Sequence, residues 1–345
     1  MTIPATMRAL VLDHDGYDPT MGSGGLETLD GFVTLKTVDV PRPRAGQVLI
    51  RVGLSPINPS DVAFIKGAYG QPRVAGRPAG FEGVGEVVAS GGGFLANRLK
   101  GRRVAFFAGI SGAWAEYAVA SAMTCIVLRK DVSDEDGAAL LVNPFSAFAM
   151  VDIARRRGAG AFVMTAGASQ LCKLMAGLAR DRGIAAIALV RREAQIEPMK
   201  RAGAAAVLDT ESPDFEAALE KVLKAHEPSI LFDALGGGVA EPVFRAMGDE
   251  ARWVIYGGLA ALTAPLPDPG QFIFRKKRIE GFWLTEWLAK AGTIRTLLAS
   301  RAVQARFASG VWKTELADRV PLAEAHAKVP GYFSGANPGK VMLTP

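Results

Sequence analysis

The feature that most constrains the fold is a regular alternation of short apolar runs and helical segments that begins near Gly160. Each run is almost wholly apolar, as in a strand that is buried on both faces of a sheet. The runs are AFVMTA (161–166), IAAIALV (184–190), AAVLD (205–209), SILFDAL (229–235) and RWVIYGG (252–258). After the first run, the segment 171–178 carries apolar residues at helical spacing. Strands that alternate with helices predict an α/β fold with a doubly wound, parallel, Rossmann-type sheet.

The first part of the chain has a different pattern, in which short apolar runs are separated by glycine and proline. The runs are MRALVLD (7–13), GQVLIRVG (46–53), GVGEVVAS (83–90), RRVAFFA (102–108) and AEYAVA (115–120). Short strands with turn signals between them predict an all-β, barrel-like domain. A chain of 345 residues is long enough to hold both domains.

The boundary between the two patterns lies near Ser133, where a serine and acidic residues precede a helical apolar pattern. We therefore place the first domain at 1–138 and the Rossmann domain at 139–284. The remaining segment, 285–345, is mixed in pattern and ends in GKVMLTP (339–345). We expect this segment to return to the first domain and to supply its last strand.

The basic residues are spread along the chain rather than concentrated. The net charge is +6, and the densest basic runs, 155–157 and 275–278, are short. Because nucleic-acid-binding proteins collect basic residues in a patch or stripe, we expect no nucleic-acid partner. We interpret both runs as solvated helix ends or loops, with an anionic cofactor or an acyl carrier partner as the alternative.

Potential metal ligands are few and scattered. They are Cys125, Cys172, His14, His226 and His326. None of them has the pairwise spacing of a zinc site, and two cysteines do not indicate a disulfide framework. No apolar stretch approaches the about 18 residues of a membrane span, and no signal-peptide pattern opens the chain. We expect a cytoplasmic protein without a metal and without a membrane partner.

The turn after the first Rossmann strand, TAGASQLC (165–172), is the predicted dinucleotide site. In a Rossmann unit the pyrophosphate lies at the N-terminus of the following helix, and small residues let the backbone approach it. The candidate contacts are Ala166, Gly167, Ala168, Ser169 and Gln170. The turn is poor in glycine, so the alternative is a helix start that packs on the sheet and binds nothing.

The end of the second Rossmann strand distinguishes the two nicotinamide dinucleotides. An acidic residue there holds the ribose 2′-hydroxyl of NAD, whereas arginine accommodates the 2′-phosphate of NADP. Here Val190 is followed by Arg191 and Arg192, and no acid stands at the strand end. The pattern favours NADPH, with two ordinary solvated loop arginines as the alternative.

A series of motifs that covers nearly the whole chain resembles one known family. The motifs are NPSD (58–61), GFEGVGEV (80–87), KGRRV (100–104), GAWAEYAV (112–119), the turn at 165–172, FDALGG (232–237), VIYGG (254–258) and GKVML (339–343). They resemble the medium-chain dehydrogenase/reductases, in the zinc-independent quinone-reductase and enoyl-reductase branch. This resemblance implies a GroES-like β-barrel catalytic domain beside the Rossmann domain. Zinc-dependent relatives have an early cysteine, and a histidine where this chain has Phe81; both are absent here, which implies chemistry without zinc.

A narrower resemblance is to the trans-2-enoyl-thioester reductases. It rests on NPSDVAFIKGAYG (58–70), LLVNPFSAFAM (140–150) and QFIFRKKRIEGFWLTEW (271–287). It implies that Tyr69 is catalytic, and Ser169 in the cofactor turn fits this subgroup. Cys172 stands where the family has a glycine for close packing, which puts the local geometry and the cofactor affinity in question. The cofactor contacts that the resemblance implies elsewhere are Asn143, Phe272, Phe274 and Lys340; the alternative for Lys340 is a lysine that protects a strand edge.

The proposed chemistry needs a donor for the charge that builds on a carbonyl oxygen as hydride reaches the conjugated carbon. The Tyr69 hydroxyl suits this role, and Asn58 is a second polar candidate. The alternatives are a surface tyrosine and a capped turn. We expect Tyr256, Gly257 and Gly258 near the nicotinamide. The apolar candidates for a substrate pocket are Trp114, Phe282 and Trp283, with ordinary core packing as their alternative.

These observations predict an NADPH-dependent oxidoreductase that transfers hydride to an activated double bond of a small-molecule substrate, most directly a 2-enoyl thioester. One alternative is an NADPH:quinone or enone reductase, which needs no acid because the quinone accepts the charge. An alternative of another class is a non-catalytic NADPH-binding protein on the same fold. The family resemblance also implies a homodimer that forms through an edge strand of the Rossmann sheet, near 253–257 and 270–280.

Overall fold

The computed structural model describes residues 2–18, 20–21, 25–109, 111–260, 265–334 and 339–345. It divides the chain into two compact units, one formed by 1–142 with 300–345 and the other by 143–299. The sequence placed these changes at 138/139 and 284/285. In the structure the second change, at 299/300, falls inside the helix Leu284–Ala308. The break in that helix is at Gly292, which has non-helical φ and ψ, so no sequence signal marks the boundary between the units.

The described elements alternate as the sequence predicts over much of the chain. The strands are β1 (Thr6–Leu12), β2 (Val33–Asp39), β3 (Gln47–Pro56), β4 (Glu82–Ser90), β5 (Arg103–Phe107), β6 (Tyr117–Ser121), β7 (Cys125–Val127), β8 (Ala161–Met164), β9 (Ala185–Val190), β10 (Ala206–Asp209), β11 (Ile230–Asp233), β12 (Arg252–Ile255), β13 (Arg278–Gly281), β14 (Leu316–Pro321) and β15 (Lys340–Thr344). The helices are α1 (Pro59–Ile65), α2 (Phe94–Leu99), α3 (Asp134–Ala138), α4 (Val142–Arg156), α5 (Gln170–Arg180), α6 (Ile196–Ala202), α7 (Phe215–His226), α8 (Ala240–Ala246), α9 (Gly270–Ile273), α10 (Leu284–Ala308) and α11 (Ala325–Ser334).

The second unit is built on a six-stranded sheet in the order β10-β9-β8-β11-β12-β13. All five pairings are parallel, which confirms the Rossmann-type prediction. All four residues of β8 are buried, as expected for a central strand covered on both faces. The strand order reverses between β8 and β11, and the carboxyl ends of parallel strands at such a switch point are where ligands bind in open α/β sheets.

The first unit is an all-β body with short helices. Its larger sheet has the order β14-β15-β3-β4-β5-β7, β6 pairs with β3, and β1 pairs with β2 in a separate ribbon. The segment GKVMLTP contains β15, which lies between β14 and β3 in the first unit. One core cluster of this unit packs Leu10, Ile65 and Leu343 together, so residues far apart in sequence share a single apolar interior.

Two edge assignments made from the sequence are wrong. The predicted edge strand near 253–257 corresponds to β12, which lies between β11 and β13, and the outer strand on this side of the sheet is β13. Within 270–280 the first residues form the short helix α9 instead of a strand, whereas 278–280 do belong to the edge strand β13. The strand-edge alternative for Lys340 is also wrong, because β15 has a partner on each side. Apolar runs identify strands but do not reveal their order in a sheet.

The basic run 275–278 is not simply a solvated loop. Lys277 is buried, and its ammonium group donates to the carbonyl oxygens of Phe244 (2.8 Å) and Arg245 (3.1 Å) at the end of α8. A cation at a helix C-terminus satisfies carbonyl groups that have no partner inside the helix. In the other run, Arg155 and Arg156 are exposed helix-end residues that pair with Asp152, as the sequence indicated.

Within the described part of the chain, no helix combines the length and the apolar character that crossing a membrane requires.

Candidate cofactor and catalytic sites

The turn after β8 has the backbone geometry of a nucleotide-binding turn with few glycines. Ala166 adopts a left-handed conformation with φ 48°, which a residue with a Cβ seldom occupies. At Gly167 a Cβ would lie 2.7 Å from the carbonyl oxygen of Leu189, so only glycine fits there. Ser169 caps α5, its hydroxyl oxygen accepting from the amide of Cys172 at 3.3 Å. The turn therefore opens onto the first turn of α5, where backbone N–H groups have no intrahelical acceptor.

The thiol of Cys172 fits the position where the family has glycine. Cys172 is fully buried, and its Sγ lies 3.5 Å from the carbonyl oxygen of Thr165 and 3.8 Å from the hydroxyl of Tyr256. Burial raises the pKa of this thiol, so it stays a neutral packing group. The local geometry that the sequence put in question is intact.

A buried carboxylate, which the sequence analysis did not single out, joins the ends of the central strands. Asp233 ends β11, and its Oδ1 accepts from the hydroxyl of Thr165 at 2.6 Å. Its Oδ2 accepts from the indole of Trp253 in β12 at 2.9 Å. The amides of Leu235 and Gly236 also donate to this carboxylate, at 2.9 and 3.1 Å. An acid at the end of an apolar run, as in SILFD, is the sequence signal for such a group.

Arg191 and Arg192 are exposed directly after β9. The backbone amide of Arg191 donates to the side-chain oxygen of Gln195 at 3.2 Å. Over the described residues, neither guanidinium group takes part in a hydrogen bond or an ion pair. Two arginines without carboxylate partners suit a phosphate group, because guanidinium donates in a fork that matches phosphate oxygens.

The other predicted residues of the second unit fall into two groups. Gly257 is required by its surroundings, because a Cβ there would lie 2.6 Å from the carbonyl oxygen of Ala234. Desolvation raises the pKa of the Tyr256 hydroxyl well above its ordinary value, so it remains protonated. Phe272 packs against the core of the unit, whereas Phe274 is 81% exposed. The remaining residues are half-buried or exposed: Asn143, Gly258, Phe282 and Trp283.

Tyr69 lies in the first unit, on the loop that follows α1. Its ring packs on Phe81 with centroids 5.0 Å apart, and Phe81 in turn packs on Phe64 at 4.9 Å. The side chain is half-buried, so the loop holds it against an aromatic wall. Trp114 is different: it is fully buried and lies so close to Gly80 that a Cβ there would be 2.3 Å from its ring. This placement accounts for Trp114 as a core residue and does not favour the predicted pocket role.

A buried polar cluster brings together two predicted residues and two that were quoted only within motifs. Asn58 precedes α1; its amide nitrogen donates to Glu82 Oε1 at 2.9 Å, and its Oδ1 accepts from the Lys340 ammonium. Its backbone N–H donates to Asp61 Oδ2 at 2.7 Å, which is the capping arrangement that the sequence analysis held as the alternative for Asn58. Asp61 Oδ1 accepts from the amide of Phe81 at 2.8 Å. Both polar ends of the Asn58 side chain are thus engaged inside the cluster.

The ionisable groups of this cluster have shifted pKa values. Burial raises the pKa of Asp61 to about 7, against the backbone hydrogen bonds that lower it. Burial also raises the pKa of Glu82, although the nearby Lys340 opposes the shift. For Lys340 burial lowers the pKa, and the two carboxyl groups act in the opposite direction. The cluster therefore combines groups whose charges are maintained mainly by one another.

Across the residues whose placement is described, no group of three His, Cys, Asp or Glu side chains is arranged to hold a metal. Phe81, which the family resemblance places at the position of a zinc-ligating histidine, packs its ring on Tyr69.

Comparison with known families agrees with both units. The alcohol dehydrogenase GroES-like domain matches residues 44–130, within the first unit. The zinc-binding dehydrogenase family matches residues 171–300, which covers most of the Rossmann sheet.

Three known proteins illustrate what the chain is similar to. A protein from Mesorhizobium loti, assigned as an NADPH:quinone reductase, is 52% identical over the full length of both chains, with a TM-score of 0.94. A mitochondrial enoyl-[acyl-carrier-protein] reductase from Bos taurus is 28% identical over 292 residues, which is 82% of this chain and 74% of the bovine protein. The mitochondrial 2-enoyl thioester reductase heterodimer from Candida tropicalis has a chain that is 21% identical, with a TM-score of 0.78 over 99% of this chain and all of that one. The last similarity concerns the fold alone.

Asp61 makes the stability of the protein depend on pH in a defined direction. Its carboxyl group has a pKa of about 7 in the folded protein and about 3.8 as its ordinary value. A raised pKa gives stability that is present below about pH 4 and is lost as the pH rises through about 7. In urea titrations from pH 4 to 7, we expect the free energy of unfolding of Asp61→Asn to rise steadily relative to that of wild type, because the wild type alone loses the contribution of Asp61. Asp39→Asn, at an exposed position, is the control, and a pH-independent difference for Asp61→Asn would contradict the assignment.

Proposed function

Because the chain belongs to the medium-chain dehydrogenase/reductases, in the quinone oxidoreductase branch, we propose that it is an NADPH-dependent oxidoreductase that delivers hydride to an activated double bond. The observation that carries the proposal is the pair of arginines without carboxylate partners, Arg191 and Arg192, at the carboxyl end of β9. Their strand neighbours β8, whose following turn opens onto α5 at the switch point of the sheet. Donors for the 2′-phosphate and for the pyrophosphate therefore stand at the same edge of one sheet.

The chain's own residues would hold the cofactor through its phosphates. We assign the pyrophosphate to the backbone from Ala166 to Gln170 and the 2′-phosphate to Arg191 and Arg192. The two phosphate contacts would use different donors: backbone N–H groups at a helix N-terminus for the pyrophosphate, and planar, charged guanidinium groups for the 2′-phosphate. Bound NADPH supplies the hydride, and the protein supplies binding, orientation and electrostatics.

We propose a 2-enoyl thioester as the acceptor. Hydride addition to the β carbon of such a substrate moves charge to the thioester oxygen, which then needs a hydrogen-bond donor. We assign this role to the Tyr69 hydroxyl, whose ring packs on Phe81 and is only half-buried. The 28% identity to the bovine enoyl-[acyl-carrier-protein] reductase over most of both chains supports this substrate class.

A quinone is the second candidate acceptor, and a specific observation favours it. The Mesorhizobium loti protein, assigned as an NADPH:quinone reductase, is 52% identical over the whole chain. A quinone accommodates the added charge in its own ring system and needs no protein acid, so it would not depend on Tyr69. The two candidates therefore make opposite predictions for one substitution.

We further propose that the protein works without zinc, in the cytoplasm. The first point is supported by Phe81 at the position of a zinc-ligating histidine. The second is supported by the low cysteine content and by Cys125 and Cys172, which are both free thiols.

Replacing Tyr69 by Phe separates the two acceptors. We expect turnover of short and medium trans-2-enoyl thioesters to fall about 100- to 1,000-fold, the usual loss for one oxyanion donor. The measurement is the decrease in NADPH absorbance, with simple quinones as parallel acceptors. Tyr117→Phe, also a half-buried tyrosine of the first unit, is the control and should retain activity. If quinones are reduced equally by wild type and Tyr69→Phe and thioesters are not reduced, the second candidate is correct. No NADPH oxidation with any acceptor would contradict both candidates.

Removing both arginines after β9 should weaken NADPH binding selectively. We expect Arg191→Ala with Arg192→Ala to raise the Kd for NADPH about 10- to 100-fold, which corresponds to about 1.4–2.8 kcal/mol, the contribution of one charged hydrogen bond to the 2′-phosphate. The Kd for NADH should change little, since NADH lacks the 2′-phosphate. Fluorescence titration measures both constants, and Arg201→Ala, at an exposed position on α6, is the control. An unchanged ratio of the two constants would remove these arginines from the site.

We propose a homodimer that forms through β13, the edge strand of the Rossmann sheet. Ile279 in β13 and the neighbouring Ile273 and Phe274 are exposed apolar residues, and an edge strand carries backbone groups that a second copy can pair. The proposal is supported by exposed apolar residues beside a strand edge that can pair. It is also supported by the Candida tropicalis reductase, which is a heterodimer. In this arrangement a two-fold axis would bring the two edges together.

The dimer proposal is tested by substituting a single exposed phenylalanine. We expect the molar mass from light scattering to be that of a dimer for wild type and to shift toward the monomer for Phe274→Glu. Phe94→Glu is a matched control, since Phe94 is 80% exposed but lies on α2 of the first unit. A wild-type protein with monomeric mass would end the proposal.

A further inference from the structure

The loop that carries Tyr69 is closed at its base by one buried side chain. Arg73 is only 6% exposed, and its Nη1 donates to the carbonyl oxygen of Ile65 at 3.1 Å. Ile65 is the last residue of α1, so this hydrogen bond joins the end of the helix to the far end of the loop 66–72. Tyr69 lies at the middle of the closed segment.

The same guanidinium group reaches a second segment of the first unit. Its Nε donates to the carbonyl oxygen of Gly16 at 3.1 Å, and its Nη2 donates to that of Asp15 at 3.5 Å. The backbones of Arg73 and Gly16 are also paired, by N–H···O bonds of 3.0 and 3.1 Å. A buried charge is costly unless its donors are satisfied, and here carbonyl oxygens from two separate segments satisfy them. The arrangement is specific to a planar fork, which a lysine cannot reproduce.

Gly67 shows how closely the guanidinium group is packed against the loop. Gly67 has φ +82°, and a Cβ there would lie 2.7 Å from Arg73 Cζ and 2.7 Å from the amide nitrogen of Asp18. That amide donates to the carbonyl oxygen of Gly67 at 2.9 Å. The glycine is therefore needed both for its conformation and for the contact with Arg73. The loop is held at its base, two residues before Tyr69.

The aromatic wall fixes the other side of Tyr69. Phe81 packs on the Tyr69 ring, and the backbone of Phe81 is held by Asp61 in the buried cluster. This wall limits where the ring can lie, but it does not define the path of the loop backbone. The position of the hydroxyl depends on both, because a side chain on a loop is only as well placed as the backbone that carries it.

We propose that Arg73 is a positioning residue for Tyr69: its guanidinium closes the loop 66–72 on the end of α1 and so holds the Tyr69 hydroxyl where it can donate to the substrate oxygen. This inference rests on the proposed role of Tyr69 in enoyl-thioester reduction. Arg73 acts through the loop and makes no contact with the reacting atoms. A displaced donor loses much of its effect, since a misplacement of about 1 Å can lower a rate about 100-fold.

The test is a double-mutant cycle with Arg73→Met and Tyr69→Phe. With a trans-2-enoyl thioester, we expect Arg73→Met alone to lower kcat about 10- to 100-fold while the KM for NADPH changes less than about twofold. In the Tyr69→Phe background the same substitution should cost less than about twofold, because the group it positions is already absent. Arg73→Lys should recover only part of the loss. Arg77→Met, an exposed arginine of the same segment, is the control.

The possible outcomes are distinguishable from one another. If Tyr69→Phe is impaired and Arg73→Met lowers kcat by the same factor in both backgrounds, Arg73 has a general structural role and this inference is wrong while the proposed function stands. If Tyr69→Phe keeps full thioester turnover, the assigned role of Tyr69 is wrong and the role of Arg73 fails with it, and if the wild type does not turn over the thioester, the proposed acceptor itself is wrong. Circular dichroism and thermal unfolding establish that each variant is folded. Should Arg73→Met not fold, Arg73→Lys, which keeps the charge, completes the same cycle with the same criteria.

Discussion

The carboxylate of Glu82 has no exposed surface, and its two oxygens accept three hydrogen bonds from two separate segments of the first unit. One oxygen accepts from the side-chain amide of Asn58, and the other from the backbone amides of Leu141 and Val142, both at 2.9 Å. The ammonium group of Lys340, at the start of β15, carries the opposite charge and donates to the side-chain oxygen of the same Asn58. A buried ion cluster of this kind is weak evidence for net stability, but removing one member leaves the others without compensation. The start of α1, and with it the loop of Tyr69, therefore depends on a charge balance that lies several residues away.

In the second unit, too, a single buried carboxylate joins separate segments of the chain. Asp233 joins Thr165 after β8 and Trp253 in β12, so three adjacent parallel strands are tied together beside the switch point of the sheet. The cofactor turn begins at Thr165, and its strained Ala166 follows immediately. A strained backbone persists only where its surroundings hold it, and the hydrogen bonds around Asp233 and the packing of Cys172 are such surroundings.

The parts of the molecule that could be predicted from the sequence are those in which a local pattern has one physical meaning. The run AFVMTA predicts a central strand because a strand buried on both faces is apolar throughout, and the same holds for IAAIALV. The order of β12 and β13 could not be predicted, since periodicity says nothing about which strand lies at an edge. Arg73 and Lys277 were missed or misread because a lone basic residue in a loop is usually solvated. Their partners are backbone carbonyl oxygens from other segments, and no sequence pattern identifies these. Asp61 and Glu82 were visible only as letters inside motifs.

The two cysteines give the molecule one chemical reporter for each unit. Cys125 lies in the first unit, and burial raises the pKa of its thiol to about 12. Cys172 lies in the second unit, fully buried beneath the cofactor turn. Since a thiol must be exposed and ionised to react, the raised pKa values make both thiols poorly reactive in the folded protein, and local opening of their surroundings increases their reactivity. The rates at which the two sulfur atoms are alkylated therefore report separately on the local opening of the barrel and of the nucleotide-binding sheet, and the cysteines already present in the chain suffice for this measurement.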